Sequence, residues 1–221
     1  YYATMKQYSG AGQLVDAYEH DDETDFHQLV ADMADIPRKQ AKTINLGLFY
    51  GMGKAKLQAE LGVSKDKAEE LFSIYHSRVP FVKSLTKSVS NRAQQRGQIR
   101  TLLGRLCRFH LWEPNTFGMH KALPFEQAVQ EHGPGIKRAY TYKALNKLIQ
   151  GSAADMTKKS MLDLYKEGIV AHIQIHDELD VSVESPKQAK KIVEIMENAV
   201  KLEIPNKVDY ESGKNWGTIN D

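Results

Sequence analysis

Between Pro37 and Gly51 a stripe of Arg38, Lys42, Leu46 and Tyr50 recurs every fourth residue. Each step of four advances about 40° around an α-helix, so the four side chains span roughly 120° of one face. Ala41, Ile44 and Leu48 fall on the other side and suit a core. Two cations one turn apart repel, and an anion between them relieves the repulsion. A triphosphate fits: Arg38 can fork onto a terminal phosphate, with Lys42 a point charge nearer the reacting one. Tyr50 at the far end can stack on a base. The plain alternative is an amphipathic helix with a solvated basic stripe.

A second group of reactive side chains lies in "AHIQIHDELDVSVE", Ala171 to Glu184. Ile169, Ala171, Ile173 and Ile175 alternate on one run, Leu179, Val181 and Val183 on the next, leaving His176, Asp177 and Glu178 as the connection. Neighbouring strand residues point to opposite faces, but a tight turn breaks the alternation and lets both carboxylates approach one edge. Mg²⁺ takes one or two carboxylates together with phosphate oxygens and water. Two-metal phosphoryl transfer needs a further carboxylate from a second strand. A solvated acidic turn is the simpler reading. His27, in "TDFH" ahead of the first helix, is by itself a helix-start residue.

Elements that must position these groups follow from punctuation and period. Residues 11–33 read as short helices broken by the acidic "EHDDETDFH" region, and Pro37 opens a helix to about Tyr50. A second helix covers Lys54 to Leu61. Ser64 caps a third that stops near Pro80, and a longer one runs from Phe81 to Arg96. "GQIRTLLGRLCRF" reads as a hairpin, 112–135 has little pattern, and 136–167 reads as helix. Strands over 169–175 and 179–184, a helix from Pro186 to about Leu202 and a strand over 207–211 complete a β-β-α-β unit. The fold class expected is α+β.

The chain has 221 residues, 41% hydrophobic and 26% charged, the composition of an ordinary globular chain with a sizeable core. No tract approaches the roughly 20 apolar residues of a membrane span. A single cysteine, Cys107, cannot form an internal disulfide, and a reducing compartment is the default. Net charge is only +2, yet the five arginines from Arg92 to Arg108 stand among Gln94, Gln95 and Gln98 without an acidic residue. That run suits a polyanion or a solvated basic face.

Taken in order, "RKQAKTINLGLFYGMG", "TLLGRLCRF", "NKLIQGSAADMTK", "QIHDELDVSVE" and "GKNW" resemble the fingers helix (motif B), two intervening segments, motif C and the C-terminal ending of family A DNA polymerases, the group of bacterial DNA polymerase I and many phage replicases. The resemblance covers essentially the whole chain and implies a helical fingers subdomain over 23–145, a C-terminal palm portion with motif C over 146–221, and a palm-side helix over 1–22. It implies that His27, Arg38 and Lys42 hold the phosphates of an incoming dNTP, with Lys42 also the proton donor to pyrophosphate. Leu46 then lies against the sugar and base, and Tyr50 at the template side. Asp177, supported by Glu178, binds metal, and His176, Gln150, Asn146 and Arg105 meet primer-template DNA. The implied cofactor is two Mg²⁺ ions.

Two departures from the pattern matter. Leu46 stands where the family usually has phenylalanine or tyrosine, which exchanges stacking for aliphatic contact, leaves sugar discrimination open and resembles a phage variant. The motif A aspartate is expected on a strand just before Tyr1. The expectation is therefore a partner portion carrying motif A and thumb, in the same parent chain or a separate subunit, and an inactive chain without it. The bacterial cytoplasm, or that of a phage host, is the expected location, with no membrane partner. A non-catalytic nucleic-acid-binding subunit derived from a polymerase is the rival reading.

Overall fold

Pro37, which cannot donate a backbone hydrogen bond, opens the helix that carries the basic stripe: the amides of Gln40 and Ala41 bond its carbonyl, and the helix spans Arg38–Phe49. The structure is a computed structural model and describes residues 1–20, 25, 27–28, 31–32, 36–49 and 52–219. Two compact units, Tyr1–Ile149 and Gln150–Asp221, divide the chain.

In the first unit, α1 (Tyr2–Met5) and α2 (Ala11–His20) precede α3 (Arg38–Phe49), α4 (Lys54–Leu61), α5 (Lys65–Arg78) and α6 (Pro80–Arg96). The side chain of Ser64 accepts the Lys67 amide at the start of α5, and Pro80 occupies the first turn of α6, so both helices begin where the sequence signals them. Ala41, Ile44 and Leu48 of α3 are buried with Leu57, Leu71, Tyr75 and Val82. Leu85, Val89 and Ala93 of α6 build a second core with Ile99, Phe109, Leu145 and Leu148.

Strands β1 (Gln98–Arg100) and β2 (Leu106–Arg108) form the expected hairpin, with Ile99 opposite Cys107. Beyond it the reading needs correction. The patternless span holds β3 (Leu111–Pro114), β4 (Leu123–Pro124) and α7 (Phe125–His132), and residues expected to start a helix form β5 (Ile136–Arg138). These strands make a sheet in the order β4-β3-β5, with Trp112 opposite Arg138. Strands of two to four residues are too short to show a period of two. Tyr140 then adopts a left-handed backbone, φ 61°, ahead of a 3-10 turn over Thr141–Lys143, so α8 starts only at Ala144 and runs to Lys166.

In the second unit, Leu164 and Ile169 pack with Ile192, Ile195 and Met196 of α9 (Pro186–Asn198). The hairpin is shorter than its alternation suggested: β6 (Ile173–Ile175) and β7 (Glu178–Asp180), antiparallel, pair Ile175 with Glu178. Residues 207–211 form no strand, so this unit is β-β-α rather than β-β-α-β. The Val208 amide donates to the Glu197 carboxylate, 3.2 Å, in place of a neighbouring strand. Extended residues become a strand only where an edge offers a ladder.

One buried group makes a measurable claim. The Tyr75 hydroxyl is buried and has no hydrogen-bond partner, and burial pushes its ionisation well above the ordinary tyrosine value. An unsatisfied buried hydroxyl costs about 1–3 kcal/mol. Tyr75→Phe is therefore expected to raise unfolding stability at neutral pH by about 1 kcal/mol, read from urea midpoints. Because the folded value lies above the unfolded one, stability falls as pH rises beyond the ordinary tyrosine value of about 10. The phenylalanine variant should lose that alkaline decline.

Candidate nucleotide and metal site

Arg38, Lys42 and Leu46 share one exposed face of α3, opposite the buried Ala41, Ile44 and Leu48. The fourth member of the stripe, Tyr50, lies outside the described residues. Arg38 has a partner that the spacing did not reveal: its guanidinium meets the Asp25 carboxylate, at 2.7 Å from Nε and 2.5 Å from a terminal nitrogen. The other Asp25 oxygen accepts the amides of His27 and Gln28 at 2.8 and 3.1 Å. Asp25 is thus a turn cap that also fixes the first cation of the stripe. No carboxylate among the described residues pairs with Lys42.

His27 is tied to the same helix. Its Nδ1 lies 3.0 Å from Nδ2 of Asn45, a buried polar residue on the apolar side of α3. Sequence reasoning missed both Asp25 and Asn45. A signal for each existed: an aspartate two residues before His27 suits an Asx turn, and an asparagine between Ile44 and Leu48 on a core face demands a partner.

The Arg38 hydrogen bond, with the backbone amide of Gln28, holds the Asp25 carboxyl below the usual carboxylate range. A folded value below the unfolded one gives stability that is present above the ordinary aspartate pKa of about 3.9 and is lost as pH falls through the lower folded value. Urea midpoints measured through the acid range should fall less steeply in Asp25→Asn than in the parent chain. Equal slopes would mean that the pair contributes nothing.

In the second unit the β6–β7 connection has two residues, His176 and Asp177, and Glu178 is the first residue of β7. His176 is in the left-handed region at φ 53°, which two-residue hairpins require of their first loop residue. For a residue with a Cβ this is a sparsely populated state, of the kind concentrated at functional sites. Gln174 Nε2 donates to the His176 carbonyl, 2.9 Å, and steadies the turn. Asp177 and Glu178 are both exposed. Their carboxylates are hard donors suited to Mg²⁺, which is content with one or two such ligands plus phosphate and water. Among the described residues no three His, Cys, Asp or Glu side chains gather as a metal set.

Of the remaining candidates, Asn146 and Gln150 stand four residues apart on α8, and the Asn146 Oδ1 atom is buried without a partner. Arg105 sits in the β1–β2 connection, where its carbonyl accepts the Thr101 amide at 2.9 Å.

The helical segments and the small antiparallel sheets define an α+β fold. The model of DNA polymerase family A matches residues 3–218, and the chain belongs to that family. A DNA-directed DNA polymerase of Pseudomonas phage M6 is 35% identical, over 91% of this chain and 32% of the phage protein. DNA polymerase I of Geobacillus stearothermophilus is 32% identical, over 86% of this chain and 21% of its own length. Among solved structures, the POL domain of Pol1 from M. smegmatis, in complex with DNA primer-template and dNTP, superposes with a TM-score of 0.73 at 26% identity, covering 94% of this chain and 36% of that one. The chain therefore spans about a third or less of the relatives that it matches. Among the described residues, no helix is long and apolar enough to cross a membrane.

Proposed function

We propose that this chain supplies the fingers and the C-terminal palm of a template-directed DNA polymerase. Family membership supports the reading, and so does a solved relative that holds primer-template and dNTP. The observation that carries it is the exposed stripe of Arg38 and Lys42, in a chain that also presents two adjacent carboxylates at a left-handed turn. In this reading 1–22 belongs to the palm side, 23–145 to the fingers and 146–221 to the palm.

The reaction joins a primer 3′-hydroxyl to the α-phosphate of a dNTP; the new P–O bond forms as the α–β bridge breaks and pyrophosphate leaves. Arg38 forks onto the terminal phosphate, exchanging part of its Asp25 contact for it, and His27 contacts the same tail. Lys42 donates a proton to the departing pyrophosphate. Leu46 gives the sugar and base an apolar wall, with Tyr50 at the template side. His176, Asn146 and Gln150 contact the primer terminus and minor groove, where acceptors common to all base pairs allow contact without sequence reading. Arg105 meets backbone phosphate.

Asp177 and Glu178 would hold Mg²⁺, which when bound stabilises the charge on the attacking and leaving oxygens. A further aspartate, from a polymerase portion carrying motif A and thumb, completes the metal set. The test mixes the chain with such an N-terminal portion and measures Mg²⁺-dependent primer extension. Extension upholds the reading. DNA binding without extension under any complementation would instead make this a binding subunit.

A further inference from the structure

Within the first unit a pocket of about 70 Å³ opens among α1, α6, β1 and the first turns of α8, apart from the α3 stripe. Its floor is apolar and buried: Leu85 and Val89 of α6 with Ile99 and Leu148. Its rim is cationic. Arg92 follows Leu85 and Val89 at helical spacing, so the face of α6 that builds the floor ends in a guanidinium. Arg100 and Lys6 line the same opening.

No carboxylate lines this pocket, and none among the described residues pairs with the three cations. Among the described residues the Arg100 guanidinium donates to the Gly104 carbonyl, 2.9 Å. Three like charges around one concavity over low-dielectric walls concentrate a positive field and attract an anion. The pocket is small, about 70 Å³, and suits a phosphate-sized group rather than a whole nucleotide. An apolar floor offers no hydrogen bonds, but it suits the carbons of a deoxyribose next to that phosphate. Two of the five arginines between Arg92 and Arg108 thereby acquire a common target.

We propose that Lys6, Arg92 and Arg100 form a subsite for a backbone phosphate of a DNA strand, separate from the dNTP stripe. This rests on the reading of the chain as DNA-binding. Free inorganic phosphate offers the same chemistry, and the test separates the two sources. Anisotropy of a labelled single-stranded oligonucleotide is followed with the 221-residue chain across a NaCl series. Arg92→Ala and Arg100→Ala should each weaken binding, and together should lower the slope of log K against log salt by roughly 0.7, the value for one single-strand phosphate contact. Arg92→Lys keeps the charge and should keep the slope, which distinguishes phosphate binding from a folding defect. An unchanged slope in the alanine variants, with tight binding retained, overturns the subsite alone. Side-chain NMR shifts of Arg92 and Arg100 on adding inorganic phosphate, together with that unchanged slope, would reassign the pocket to the free ion and overturn the DNA assignment. Absence of oligonucleotide binding by the parent chain would overturn this subsite, whereas the polymerase reading falls only if the complemented chain fails to extend primers.

Discussion

Asp177→Asn is expected to lower Mg²⁺-dependent primer extension by about 10³-fold or more in the complemented polymerase, while leaving the fold intact. The substitution keeps the shape of the side chain and removes its charge. Because Asp177 is exposed and no described side chain hydrogen-bonds to it, stability should scarcely change. Loss of one preorganised electrostatic group at a reacting centre typically costs about 10²–10³ in rate, and under the proposed function, where Asp177 ligates the metal, its loss should cost at least that. Glu178→Gln should cost less, since Glu178 opens β7 beside the turn rather than occupying it. Primer-template affinity in the absence of Mg²⁺ should be equal in the parent and both variants. If Asp177→Asn extends primers at the parent rate, the hairpin is not the metal site.

The α3 stripe and the turn at Asp177 were legible in the sequence for a physical reason. Twelve residues of α3 carry a strong period, and a helix enforces that period wherever one face is buried. The hairpin was legible only in outline. Alternation over 169–175 and 179–184 suggested long strands, but Ile173 is 44% exposed and a two-stranded ladder has no neighbour to extend it. The sheet of β3, β4 and β5 was invisible because none of its strands exceeds four residues. The Asp25–Arg38 pair joins residues 13 positions apart, and no helical or strand period connects them. What pattern cannot express is the contact between elements, and there the site acquired Asp25 and Asn45.

Gly97→Ala tests another contact between elements and is expected to cost about 2–4 kcal/mol of stability. Gly97 ends α6 in the left-handed region, φ 67°, and its carbonyl accepts the Phe109 amide at 2.8 Å. An L-residue there costs roughly 1–2 kcal/mol. A Cβ at Gly97 would also lie 2.7 Å from the Arg138 guanidinium carbon. Arg138 has little freedom to withdraw: it donates to the carbonyls of Gln94, 3.2 Å, and Phe109, 3.0 Å, and lies 4.4 Å over the Trp112 ring. Displacing it loses about 1 kcal/mol per hydrogen bond. Gly62→Ala is the control, because Gly62 has nearly the same φ, 64°, with open space where its Cβ would go. It should show the backbone cost alone. Adding Arg138→Ala should remove the steric part, so the cost of Gly97→Ala measured in that background should shrink to the Gly62→Ala value. Equal urea-midpoint losses for Gly97→Ala and Gly62→Ala in the parent background would mean that the guanidinium moves aside freely and does not brace α6 against the β3–β5 sheet.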